Sequence, residues 1–163
     1  MSKPSVTIIH DTAPPLSGKV TYGIEGVDDQ ALARAEAIIV GLQDEYLTWA
    51  EQDIQQIERR CTDMMAQPED ERAHAIRELF AVVHGMRGQG TSFGFPLITA
   101  FADSFARFVE PRTTCGAREM EIIQAHIYAI RTALADRLTE DGGVVGAALL
   151  ADLKRTQEQY ARG

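Results

Sequence analysis

Apolar residues recur at intervals of three and four along most of this 163-residue chain, and this spacing constrains the fold more than any other feature. An α-helix has about 3.6 residues per turn, so the pattern places these side chains on one helical face. The pattern begins near Asp28 or Asp29, either of which can cap a helix. It continues to the C-terminus with breaks at proline and glycine, and no convincing strand interrupts it. The sequence therefore predicts an all-α domain over residues 28–163.

The breaks divide this domain into five predicted helices, which cover residues 28–67, 68 to about 94, 96–110, about 114–138 and 144 to about 160. Short connections favour antiparallel neighbours, so we expect an up-and-down four-helix bundle with an extra C-terminal helix. A first helix of about 40 residues would be about 60 Å long, which is longer than a small bundle needs. We therefore expect either a break near Gly41 or a protruding first half.

Residues 1–27 differ from the rest because they are rich in helix-breaking residues, namely Pro4, Pro14, Pro15, Gly18, Gly23 and Gly26. Val6–His10 and Lys19–Tyr22 have some β character. We expect this segment to form an irregular N-terminal arm that lies on the helical domain.

The charge balance and the cysteines exclude several classes of protein. A formal net charge of −8 argues against a nucleic-acid-binding role, which usually needs a basic surface. No apolar run approaches the roughly 20 residues of a membrane span, and no signal peptide is visible at the N-terminus. Cys61 and Cys115 form neither a metal-binding spacing nor a disulfide framework. We expect a cytoplasmic protein without a metal or another cofactor.

The stretch from Ala81 to Gly94 conflicts with the helical pattern around it. Four glycines fall between positions 85 and 94, and each glycine inside a helix costs about 1 kcal/mol relative to alanine. The apolar spacing on both sides nevertheless predicts a helix that continues to Gly94. Such conflicts between local propensity and global pattern are expected at functional sites.

His84 lies within this stretch, on the flank of the apolar stripe, and faces outward on a helical wheel. Its neighbours Ala81, Gly85 and Gly88 are small, so the imidazole stands on a surface with few side chains. Arg87 lies three residues further on the same side. A neutral imidazole is a nucleophile, and a guanidinium can neutralise part of the charge of a phosphoryl group. The pattern predicts that His84 accepts a phosphoryl group with help from Arg87.

This segment resembles the signature of histidine-containing phosphotransfer (HPt) domains. The signature has the acceptor histidine, then Lys or Arg three residues on, Gly four on, a small residue six on, an apolar residue nine on and Gly ten on. The matching residues are His84, Arg87, Gly88, Gly90, Phe93 and Gly94. The sequence departs from the usual pattern in having glycine at position 85 and arginine, where lysine is commoner, at position 87.

The resemblance implies a protein that relays phosphoryl groups between receiver-domain aspartates in two-component signalling. His84 would be the acceptor and Arg87 the electrostatic helper. The implied receiver-docking residues are Ala81, Gly85, Gly88, Gln89 and Thr91, and the implied structural positions of the motif are Gly90, Phe93 and Gly94. The Mg²⁺ that the transfer needs would be carried by the receiver, and a hybrid histidine kinase is a further candidate partner. The chain would not be an ATP-dependent kinase, because position 85 lacks the acid of autophosphorylating kinases and no nucleotide-binding loop exists.

Other interpretations remain open from the sequence. A non-catalytic helical module could use the same surface to dock and inhibit a receiver or kinase domain. Gly88 and Gly90 could serve tight packing against a neighbouring helix, and Gln89 could contact a phosphoryl oxygen or solvent. The stripe from Leu32 to Met64 could dimerise the protein, but an intramolecular core explains it equally, so we expect a monomer. We expect ordinary surface positions for the other histidines, His10, His74 and His126, and core positions for Phe101, Phe105 and Phe108.

Overall fold

The computed structural model describes residues 28–162, and in that range it contains α-helices and 3-10 helices but no strand. The α-helices are α1 (Asp29–Met65), α2 (Ala73–Arg87), α3 (Pro96–Val109), α4 (Ala117–Ala135) and α5 (Gly143–Arg162). Short 3-10 helices at Glu69–Glu71 and Gly90–Phe93 flank α2. The predicted all-α class is confirmed for these residues, whereas the predicted β segments and His10 lie outside them. None of the described helices is both long enough and apolar enough to cross a bilayer.

Two units can be distinguished in the chain, residues 1–36 and residues 37–163. The described part of the first unit is residues 28–36, at the start of α1. Asp28 caps this helix, because its Oδ1 accepts a hydrogen bond of 3.1 Å from the backbone N–H of Gln30. The side chains of this part are exposed. α1 itself is helical without interruption through Gly41, so the predicted break at that glycine does not occur.

A single hydrophobic core fills the second unit, and every one of its α-helices contributes to it. The apolar stripes predicted for α2, α3 and α4 are buried, with Phe80, Phe108 and Met120 at the margin. The buried members are Ile76, Leu79, Val83 and Met86 of α2, Leu97, Phe101 and Phe105 of α3, and Ile123, Ile127, Ile130 and Leu134 of α4. α1 adds Tyr46, Ala50, Ile54, Ile57, Cys61 and Met64. The buried faces of α2, α3 and α4 are therefore those that the 3.6-residue period predicts.

Part of the predicted stripe is exposed at both ends of the second unit. In α1, the stripe residues Ile39, Leu42 and Trp49 are exposed, and in α5 the same holds for Val145 and Leu150. The helical period places these residues on the apolar face of each helix, but it does not specify how much of that face another helix covers.

The prediction that the second helix reaches Gly94 was wrong, because α2 ends at Arg87 and the backbone turns away at Gly88. The backbone N–H of Phe95 donates a 2.8 Å hydrogen bond to the carbonyl of Gly90, which closes this turn. Gly94 has a φ of 87°, a left-handed conformation that glycine adopts without strain, and it directs the chain into Pro96 at the start of α3. Gly88, Gly90 and Gly94 thus lie in a compact connection, whereas Gly85 lies inside α2.

The prediction that His126 is a surface residue was also wrong, because its side chain is completely buried in the core. Its Nδ1 donates to the carbonyl of Ile122 at 2.8 Å, so Nε2 is the acceptor for the hydroxyl of Ser104 at 3.1 Å. Gln157 of α5 contacts both Ser104 Oγ, at 2.9 Å, and His126 Nε2, at 3.2 Å. Because every polar atom of the ring has a partner, α4 can place a histidine on its inward face. Burial lowers the pKa of His126 to about 4.

Candidate functional site

His84 lies on the last turn of α2 with its side chain exposed. Val83 and Met86 occupy the inward face of the same turn, so the helical period directs residue 84 away from the core. Its imidazole packs on the ring of Phe80, one turn earlier, with 5.4 Å between ring centroids. The ring is therefore supported on one side and open to solvent on the other.

The glycines next to His84 are not required by the packing of the described residues. A Cβ atom at Gly85 would meet no atom within 4 Å, and one at Gly88 would meet only the Gly85 carbonyl, at an ordinary 3.6 Å. Gly88 has an ordinary helical φ of −75°. Since alanine would fit both positions and favour the helix, the fold does not explain these glycines. They leave a surface around the imidazole that another protein can approach closely.

Gly90 differs from Gly85 and Gly88, because its backbone packs too tightly against neighbouring atoms to leave room for a side chain. It is buried, and a Cβ atom there would lie 2.7 Å from Thr99 Oγ1 and 2.8 Å from the Phe95 carbonyl. Thr91, although exposed, is held by the same threonine: its backbone N–H donates to Thr99 Oγ1 at 2.8 Å.

Phe93 and Gly94 attach the connection after α2 to α1. The Phe93 ring stacks on Tyr46 with 5.0 Å between centroids and meets the edge of Trp49 at 6.3 Å. Gln43 donates a 3.1 Å hydrogen bond to the Phe93 carbonyl, and a Cβ at Gly94 would collide with this amide at 2.8 Å. These two motif residues thus fix the backbone beyond His84 and do not form part of the exposed surface.

Arg87 is the cation predicted to assist His84, and its guanidinium is engaged by α3. Its Nη1 lies 3.3 Å from Oδ1 of Asp103, and Arg107 contacts the other carboxylate oxygen. The sequence analysis missed Asp103 and Arg107. Their only signal was an acid and a base four residues apart, which is common on exposed helices.

A shallow depression of about 450 Å³ adjoins the exposed face of α2. Ala81 and Gly85 line it from α2, Gln89 lines it from the connection after α2, and Asp53 and Arg60 line it from α1. Arg60 forms a 2.8 Å ion pair with Glu78. Burial raises the pKa of the Asp53 carboxyl. Three predicted docking residues thus share one concave surface with charged residues of α1, which the sequence analysis missed because they are distant in the chain.

No group of three or more His, Cys, Asp or Glu side chains within residues 28–162 is placed to hold a metal ion. Comparisons of the chain with protein-family models, with curated proteins and with solved structures gave no match. The motif around His84 and its geometry are therefore the features of the chain that bear on its function.

Proposed function

We propose that this chain is a histidine phosphotransfer protein, in which His84 carries a phosphoryl group between the aspartates of receiver domains. The observation that supports this most directly is the pairing of an exposed imidazole with Gly85, inside α2, and Gly88, at the C-terminal end of α2, two glycines that the packing around them does not require. A surface of this kind has a clear use when a second protein must bring its own reactive group to the imidazole. The proposal includes an up-and-down bundle of α1 to α4 and a cytoplasmic location.

The proposed reaction is an in-line displacement at phosphorus. The lone pair of the His84 Nε2 attacks the phosphoryl group of a receiver aspartyl phosphate, so that an N–P bond forms while the P–O bond to the aspartate breaks. The aspartate leaves as a carboxylate, which the Mg²⁺ carried by the receiver stabilises. The proton on Nδ1 of the phosphorylated ring is released to solvent. Positioning and charge neutralisation supply most of the catalysis in such transfers.

The chain's own contribution is the open imidazole and a nearby cation. Phe80 packs against one side of the ring, and the His84 side chain stays exposed. Arg87 supplies positive charge one turn further along the helix, and its guanidinium can donate charge-assisted hydrogen bonds to phosphoryl oxygens. The chain transfers phosphoryl groups in this proposal and does not generate them from ATP. Its proposed partners are receiver domains, and one of these can be the receiver domain of a hybrid histidine kinase.

The experiment that tests the proposal is transfer from a phosphorylated receiver. The protein is mixed with receivers of the same organism that carry ³²P on their aspartate, and acid-labile, alkali-stable label is followed on this chain. We expect label in the unaltered protein and none in His84→Gln. His74→Gln is the matched control, because His74 is also an exposed histidine of α2. Label that persists in His84→Gln, or an unaltered protein that no receiver labels, would contradict the assignment.

A second candidate function is that of a module that docks and inhibits a receiver or kinase domain without accepting phosphate. It is favoured by the ion pair of Arg87 with Asp103, which occupies the cation that a phosphoryl group would need. If this function holds, His84→Ala binds the partner as tightly as the unaltered protein does and phosphohistidine never forms.

A further inference from the structure

Asp103 of α3 holds two arginines at the edge of the proposed phosphoryl-accepting site. Its Oδ1 lies 3.3 Å from Nη1 of Arg87, and its Oδ2 contacts Nη2 of Arg107. The Asp103 side chain is 27% exposed, against 41% for Arg87 and 74% for Arg107. One partly buried carboxylate thus lies between two more exposed guanidiniums, and the group as a whole carries one excess positive charge.

The register of α2 and α3 relates this group to His84. Gly90 packs against Thr99. Arg87, which precedes Gly90 by three residues, pairs with Asp103, which follows Thr99 by four residues. The two segments therefore run in opposite directions, and one more turn along each brings His84 level with residues 106 and 107. Ala106 is buried, whereas Arg107 reaches the surface. Arg87 lies in the same last turn of α2 as His84, and the register places residue 107 of α3 next to that turn.

We propose that Asp103 is a positioning residue that restrains Arg87 in the unphosphorylated protein and releases it to the phosphoryl group on His84. This inference rests on the proposed function. A phosphoryl group offers three acceptor oxygens and more negative charge than a carboxylate, so it competes well for a guanidinium. A partly buried carboxylate that lost its only partner would oppose the exchange. Arg107 removes this obstacle, because it continues to pair with Asp103 after Arg87 has moved.

The test uses a donor that needs no docking surface. Phosphoramidate transfers its phosphoryl group to an imidazole nitrogen and releases ammonia, and phosphohistidine formation in the protein is followed by ³¹P NMR. We expect Asp103→Asn to accelerate formation roughly threefold to tenfold at low ionic strength, because Arg87 is freed and a negative charge is removed. The gain should shrink as salt is added. Asp103→Glu, which keeps the charge, should return the rate to that of the unaltered protein.

The double variant Asp103→Asn, Arg87→Gln distinguishes an Asp103 that restrains Arg87 from an Asp103 that only supports the fold. If Asp103 acts through Arg87, the acceleration disappears in the Arg87→Gln background, and thermal unfolding shows that all variants fold. A rate in Asp103→Asn equal to or below that of the unaltered protein overturns the restraint and leaves the proposed function standing. The same gain with and without Arg87 also overturns it. Failure of both phosphoramidate and phosphorylated receivers to modify His84 overturns the proposed function, and the restraint with it.

Discussion

Gly90 lies so close to Thr99 that a methyl group at position 90 would come within 2.7 Å of the threonine hydroxyl oxygen. Thr99 belongs to the first turn of α3, and the same hydroxyl accepts a hydrogen bond from the backbone of Thr91. This contact joins the connection after α2 to α3, and it keeps the glycine-rich segment compact where the helical pattern predicts a longer helix.

Gly90→Ala should therefore destabilise the protein. The added methyl group meets the Phe95 carbonyl as well as Thr99, and backbone cannot move aside as a flexible side chain can. Overpacking of this kind costs roughly 1–3 kcal/mol in the free energy of unfolding. Urea denaturation measures the loss. Gly90→Ala with the unfolding midpoint of the unaltered protein would show that this contact is not as tight as described.

Gly85→Ala should have the opposite effect on stability. Position 85 is inside α2, and a Cβ there meets no atom within 4 Å, so alanine gains up to about 1 kcal/mol of helix propensity. Urea denaturation measures this gain in the free energy of unfolding, and Gly90→Ala is the matched variant for comparison. A loss of stability in Gly85→Ala would mean that the glycine has a role in the fold.

Gly88→Gln should slow phosphoryl transfer from a receiver without slowing transfer from phosphoramidate. The side chain at position 88 is free to extend into solvent, so the protein should fold, but it occupies the surface that the proposed receiver approaches. We expect a decrease of roughly tenfold or more in the rate from the receiver, which corresponds to about 1.4 kcal/mol of transition-state binding. Equal slowing with both donors would indicate damage to the imidazole site and not a block of docking.

His126 should make the protein less stable as the pH falls from about 6.5 to about 4. Burial lowers the pKa of His126 in the folded protein to about 4, whereas the pKa of an exposed histidine is about 6.5. Between these values the unfolded chain binds the proton and the folded chain does not, so the free energy of unfolding decreases toward acid. The slope is about 1.4 kcal/mol per pH unit, or about 3 kcal/mol over the whole window. Urea denaturation across this range, compared with His126→Gln, isolates the contribution. Parallel pH profiles for the two proteins would contradict it.

Tyr46→Phe should leave stability unchanged or raise it by about 1 kcal/mol. The Tyr46 ring stacks on Phe93 and Phe95, but its buried hydroxyl has no hydrogen-bond partner among the described residues. Removal of an unpaired buried hydroxyl avoids its desolvation penalty while the stacked ring is kept. Thermal unfolding measures the difference. A clear loss of stability in Tyr46→Phe, comparable to that of a core truncation, would show that the hydroxyl has a partner in solution.

Agreement between sequence and structure was greatest where one local rule decides the outcome. The period of 3.6 residues identified the buried faces of α2, α3 and α4, as Leu79, Phe101 and Ile130 illustrate. It also placed His84 outside the core, because a residue next to Val83 on a helix must point elsewhere. His126 was misassigned for the converse reason. Its partners Ser104 and Gln157 come from two other helices, and nothing local indicates that they will meet its ring.

The sequence by itself determined the helical class, the inward faces of α2, α3 and α4 and the exposed histidine among small residues, because these depend on chemistry repeated within a few turns of one chain segment. Only the tertiary structure showed that the packing around Gly85 and Gly88 does not require them while that around Gly90 does, and that Arg87 shares Asp103 with Arg107. Steric fit and ion pairing are decided by distances between helices. Such distances arise only when the whole core has formed, and they leave no periodic trace along the chain.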